Sequence, residues 1–112
     1  MQQLVELCAE AIPASSGSMY CFCNDDRAIR RVAVVSGGGG LEALAEAAAA
    51  GADLLLTGEM THVMYHQALE SGVAVLALGH YASETVGPLA LMDKVAAECG
   101  IECIFTDWPT DL

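Results

Sequence analysis

Three apolar runs constrain this chain more than any other feature. RVAVVS (31–36), DLLLTG (53–58) and VAVLAL (73–78) each run into a glycine-bearing turn and then a helix-forming segment. Strands buried on both faces read as near-continuous apolar runs. When such strands alternate with helices, the expected result is a parallel sheet covered on both sides. LEALAEAAAA (41–50) is built of strong helix formers and stops at Gly51, and THVMYHQALES (61–71) predicts a helix stopped at Gly72. The segment 82–100 predicts a helix best formed from Pro88 onward and stopped at Gly100. IECIFTD (101–107) predicts a last strand. Ahead of this alternation, LVELCAEAI (4–12) has helical spacing, and MYCFC (19–23) predicts a strand that adds an antiparallel edge. The predicted fold is one α/β domain over 1–112, with a mainly parallel sheet of four to five strands and helices on both faces.

At 112 residues, 54% of them apolar, the chain can bury a sizeable core. Fifteen acidic residues stand against Arg27, Arg30, Arg31 and Lys94, a net charge of −11. A surface of that sign repels phosphate backbones and anionic lipid, so neither a nucleic-acid nor a membrane partner is expected. No charged-then-apolar leader and no apolar run of membrane-spanning length is present, which predicts a soluble, cytoplasmic protein. The five cysteines, Cys8, Cys21, Cys23, Cys99 and Cys103, are odd in number and lack CxxC spacing. They read as reduced thiols that pack as small buried hydrophobes.

Ligands in such a sheet bind beyond the carboxyl ends of the strands. SGGGGLE, TGEMTH and GHYASE fall there. In the first loop, Ser36, Gly37 and Gly38 are candidates for cradling a phosphate on backbone N–H groups, although the loop lacks the P-loop lysine. A tight turn letting helix and sheet approach explains the same glycines. The second loop offers Thr57 and Glu59, the latter placed where a helix dipole favours a carboxylate. His62 and His66 follow, i and i+4 on one helix face, either as a metal pair or as ordinary helix positions. In the third loop His80 leaves a buried strand and Glu84 comes four residues later. A neutral imidazole and a carboxylate are both ligands for zinc, manganese or iron.

The order of these blocks, a glycine-rich turn, GADLLLTGE, a helix with His66, GHYASET-x-G and a closing IFTDWPT, resembles the carboxyl-terminal half of the Nif-three-like family. These are the YbgI-type dinuclear metal proteins, associated with type 2 GTP cyclohydrolase I. The resemblance covers about residues 27 to 112. It implies that His80 and Glu84 ligate divalent metal ions, and that Glu59 and His66 border the same cleft as catalytic candidates supporting the ligands or facing substrate. His62 matches no family position. Toroidal hexamers are implied as well, so a homo-oligomer is expected. The family chain is longer, and its amino-terminal half adds a His-His pair and an Asp to the two-metal site. This sequence has only three histidines, none adjacent, so its site is expected to be incomplete or finished by the missing half or another chain.

Three functions follow as expectations. The first is a half-site for metal-assisted hydrolysis, nominally opening the guanine ring of GTP. The second is a metal-binding module without catalysis. The third is an assembly domain that buries Leu41, Leu44 and Ala48 against copies of itself.

Overall fold

The computed structural model describes residues 2–12, 20–22 and 28–110. Four helices and four strands follow in the order α1 (Gln2–Ala11), β1 (Tyr20–Phe22), β2 (Val32–Val34), α2 (Gly40–Ala49), β3 (Leu54–Thr57), α3 (His62–Ser71), β4 (Ala74–Ala77) and α4 (His80–Cys99). The strands form one mixed sheet in the order β1-β4-β3-β2. β2 pairs parallel to β3 in the register Val32↔Leu54, and β3 pairs parallel to β4 in the register Leu54↔Ala74. β1 lies antiparallel on the far edge, Cys21 opposite Leu76. The α/β class, the parallel core and the antiparallel edge are therefore those expected from the sequence. Met19 and Cys23 lie outside the described residues.

Alternation of side chains sends successive residues of each strand to opposite faces. Leu55 and Val75 point to one face, where they pack with Leu44 and Ala47 of α2 and with Met64 and Ala68 of α3. Leu54, Ala74, Leu76 and Leu78 meet Cys8 of α1 on the other face. β3 and β4 are almost wholly buried, whereas β2, at the edge, leaves Val34 71% exposed. α2 and α3 end where glycine takes over: Gly51 and Gly72 have φ of 68° and 72°. That left-handed geometry is costly for any residue with a Cβ.

Four expectations are corrected. Helix α4 starts at His80, two residues before the predicted segment and eight before Pro88. Pro88 sits inside it and lacks only the N–H that would reach the Glu84 carbonyl. IECIFTD forms no strand: β1 holds the outer edge of β4, and the segment does not pair with the open edge of β2. That segment is instead pinned beside α4. Tyr81 Oη donates to Asp107 Oδ1 at 2.8 Å and accepts the Trp108 N–H at 2.7 Å. Leu44 is in the core and Ala48 packs against it, which removes both from any self-association face and leaves Leu41 partly exposed. Among the described cysteines, only Cys8 is buried, and burial raises its thiol pKa. Cys21 and Cys99 are exposed and Cys103 is half-buried.

Leu55 and Val34 bracket the energetics of the sheet. Leu55→Ala is expected to cost about 2–5 kcal/mol in urea denaturation, through lost burial and an unfilled cavity. Val34→Ala, at the open edge, should stay within about 0.5 kcal/mol of the parent.

Candidate metal-binding site

Three glycines stand side by side where the parallel strands end. Gly58 N–H donates to Gly37 O at 3.0 Å and Gly79 N–H to Gly58 O at 2.8 Å, which carries the sheet's hydrogen bonding past the last strand residues. Two buried hydroxyls lock the first of them. Ser83 Oγ accepts the Gly37 N–H at 2.9 Å and donates to His80 O at 2.9 Å, and Thr57 Oγ1 donates to Gly37 O at 3.3 Å. The sequence had singled out Thr57 without a role and had not singled out Ser83.

Across this platform lie the side chains expected to carry chemistry. His80 opens α4, so Glu84, four residues on, stands over it one turn later. His80 Nδ1 is 3.1 Å from Glu59 Oε2, and His80 Nε2 is 3.4 Å from Glu84 Oε1. The loops after β3 and β4 therefore meet in a carboxylate–imidazole–carboxylate row, its side chains one-third to one-half exposed. Glu59 only accepts when ionised, so its bond to Nδ1 fixes the neutral imidazole as the Nδ1–H form and turns the Nε2 lone pair toward Glu84. The His80 pKa lies above the ordinary imidazole value. The hydrogen bond that His80 donates to Glu59 is the largest cause, and the Glu84 charge adds to it against partial desolvation.

The glycine run has a steric reading here. A Cβ on Gly37 would stand 2.3 Å from Glu84 Oε1 and 3.2 Å from His80 Nε2, and one on Gly38 2.7 Å from Glu59 Oε1. Both positions make room for the carboxylates. With Gly37 N–H already bound to Ser83 and two acidic groups overhead, the loop is poorly disposed toward a phosphate at Gly37. Ser36 is exposed beside it.

Glu59, His80 and Glu84 are thus brought together, and His66 is not. Its ring contacts are with His62 and Tyr65 on α3. As a metal site the trio is partial. Nε2 and Glu84 Oε1 are two donors spaced as neighbouring ligands of one ion, and Glu59 stands behind the imidazole as carboxylates do behind metal-bound histidines. Among the described residues, no group of three or more metal-ligating side chains is assembled. A zinc that does chemistry normally has three protein ligands. The donor set fits one side of a coordination sphere.

The family model described as Duf34/NIF3 (NGG1p interacting factor 3) matches residues 1–111. A relative from Pyrococcus horikoshii named GTP cyclohydrolase 1 type 2 homolog is 43% identical over 97% of this chain and 42% of its own length. A relative of the same name from Archaeoglobus fulgidus is 50% identical over 75% of this chain and 34% of its own. The crystal structure of TTHA1606 from Thermus thermophilus superposes with a TM-score of 0.81 at 29% identity, covering 98% of this chain and 43% of that one. The chain spans about two fifths of the first relative's length.

Two measurements check the geometry. Titration of the His80 ring protons by NMR should give a pKa above about 6.5, the ordinary imidazole value, and Glu59→Gln should lower it. The sign for stability follows. A pKa raised on folding contributes stability that is complete below the unfolded value and is lost as pH rises through the folded one. In the platform, Gly58→Ala would set a Cβ 2.5 Å from Ser83 Oγ and 2.7 Å from the Gly37 carbonyl oxygen. Since that backbone has no freedom to move aside, chemical denaturation should show a loss of about 1–3 kcal/mol.

Proposed function

From the membership of this chain in the Duf34/NIF3 family, we propose that it is the metal-binding portion of a metal-dependent hydrolase acting on a nucleotide such as GTP. His80 and Glu84 would hold a zinc, manganese or iron ion. The observation that carries this reading is the row Glu59–His80–Glu84, in which a hydrogen-bonded imidazole presents its free nitrogen 3.4 Å from a carboxylate oxygen. The relatives' name, GTP cyclohydrolase 1 type 2 homolog, supports the substrate class.

The residues of this chain supply binding, orientation and proton handling. Glu59 holds His80 in the tautomer that can ligate, and hydrogen-bonded partners of this kind raise ligand basicity. Its exposed carboxylate would also take a proton from an attacking water, and its contact with His80, which His66 lacks, supports Glu59 over His66 for that role. The glycines at 37 and 38 leave the Glu84 and Glu59 carboxylates room against the strand ends. A bound divalent ion would supply positive charge to polarise the bond under attack and would lower the pKa of water. The remaining ligands would come from outside the described residues, either from further chain of the kind the longer relatives possess or from another copy in a homo-oligomer.

Elemental analysis and equilibrium dialysis against zinc and manganese test the reading. The parent chain should take up an ion that His80→Ala and Glu84→Ala lose, and Glu59→Gln should weaken binding by roughly ten- to a hundredfold. Uptake should fall at acidic pH, because protonating His80 competes with ligation. Equal metal content in the parent and His80→Ala would overturn it. Binding lost in both alanine variants, with no GTP turnover by a chain completed to the relatives' length, would favour a metal module without catalysis.

A further inference from the structure

The other two histidines lie outside the cluster. α3 opens with His62, behind the Thr61 cap whose Oγ1 accepts the Met64 N–H, and His66 follows one turn later. Positions i and i+4 stand above one another on a helix. The two rings are 5.4 Å apart between centroids and set edge to face at 88°. Both residues are exposed. Beyond His66, Tyr65 meets it at 5.4 Å, and Phe22 of β1 in turn holds Tyr65 at 4.7 Å. This row of rings runs from the sheet edge to the helix surface and restricts where His66 can swing. Among the described residues, no hydrogen bond or ion pair engages a nitrogen of either ring. Two imidazoles are thus held one turn apart, facing solvent, on a chain of net charge −11 that draws cations toward its surface.

We propose that His62 and His66 form a solvent-facing two-imidazole chelate for a late first-row divalent cation, independent of His80. Imidazole suits copper, nickel and zinc, and among such divalent ions copper(II) binds nitrogen donors most strongly. Two nitrogens on one helix face fill adjacent positions of its tetragonal sphere and water fills the rest. The second imidazole adds binding without a second loss of translational freedom.

The probe is copper(II) alone, titrated in a non-coordinating buffer at mildly alkaline pH, where imidazole is generally neutral. Binding is followed by visible absorption and by electron paramagnetic resonance, which counts ligating nitrogens. The proteins are the parent chain, His62→Ala, His66→Ala, the double variant His80→Ala/Glu84→Ala, and His66→Ala carrying Gln67→His. The double variant should show one site with a two-nitrogen signature, and the parent should show that same site beside the one at His80. His62→Ala and His66→Ala should each weaken it on the order of a hundredfold, the advantage an intramolecular second ligand confers. Gln67→His should not restore it, since positions five apart do not share a helix face. Undiminished binding in His62→Ala, a two-nitrogen signature that disappears in the double variant, or its absence from the parent would each overturn the proposal.

Discussion

The hydrogen bond from His80 Nδ1 to Glu59 Oε2 joins the ends of two neighbouring parallel strands and decides what the site can do. An imidazole at the mouth of a parallel sheet has two usable nitrogens. Once Glu59 engages one, the other faces Glu84, which helical spacing places one turn above. The fold supplies this arrangement through its order: β3 and β4 are adjacent and parallel, so the loops that leave them emerge side by side. The charge balance follows from the same bond. Two carboxylates around one imidazole favour its protonated form, and a cation bound at Nε2 would take the place of that proton.

Glycine makes the crowding possible. At the strand ends, backbone meets backbone through Gly37, Gly58 and Gly79, and the acidic side chains lie against positions 37 and 38 that have no Cβ. Ser83 reinforces the platform from α4 by accepting the Gly37 N–H while capping back onto the His80 carbonyl. The same residue that steadies the loop after β2 therefore also steadies the first turn of α4. A change at Ser83 would reach His80 without touching it.

Much of this was legible in the chain itself. The apolar runs are the strands β2, β3 and β4, and the helix stops at Gly51, Gly72 and Gly100 all adopt left-handed geometry. The GHYASE block opens α4 with His80 and Glu84 on one face, as their spacing requires. The misreadings have tertiary causes. IECIFTD has strand composition, but β1 takes the edge of β4, and Tyr81 of α4 holds the end of the segment at Asp107. Pro88 marks a good helix start in isolation, yet the strand end at Ala77 delivers the chain into helix at His80, eight residues before it. Local pattern could not show that Gly37 and Gly38 face carboxylates, because Glu59 and Glu84 are distant in sequence and only the sheet order brings them together. Nor could it show that His66 turns toward Tyr65 and away from His80.

The tautomer of His80 tests the central claim most directly. Long-range proton–nitrogen correlation NMR, recorded above the His80 pKa and repeated with zinc, reads each ring nitrogen separately. The geometry requires Nδ1 to carry the hydrogen and Nε2 to be bare, with the zinc-induced shift falling on Nε2. A hydrogen on Nε2, or a zinc response at Nδ1, would contradict the arrangement from which the proposed function is drawn.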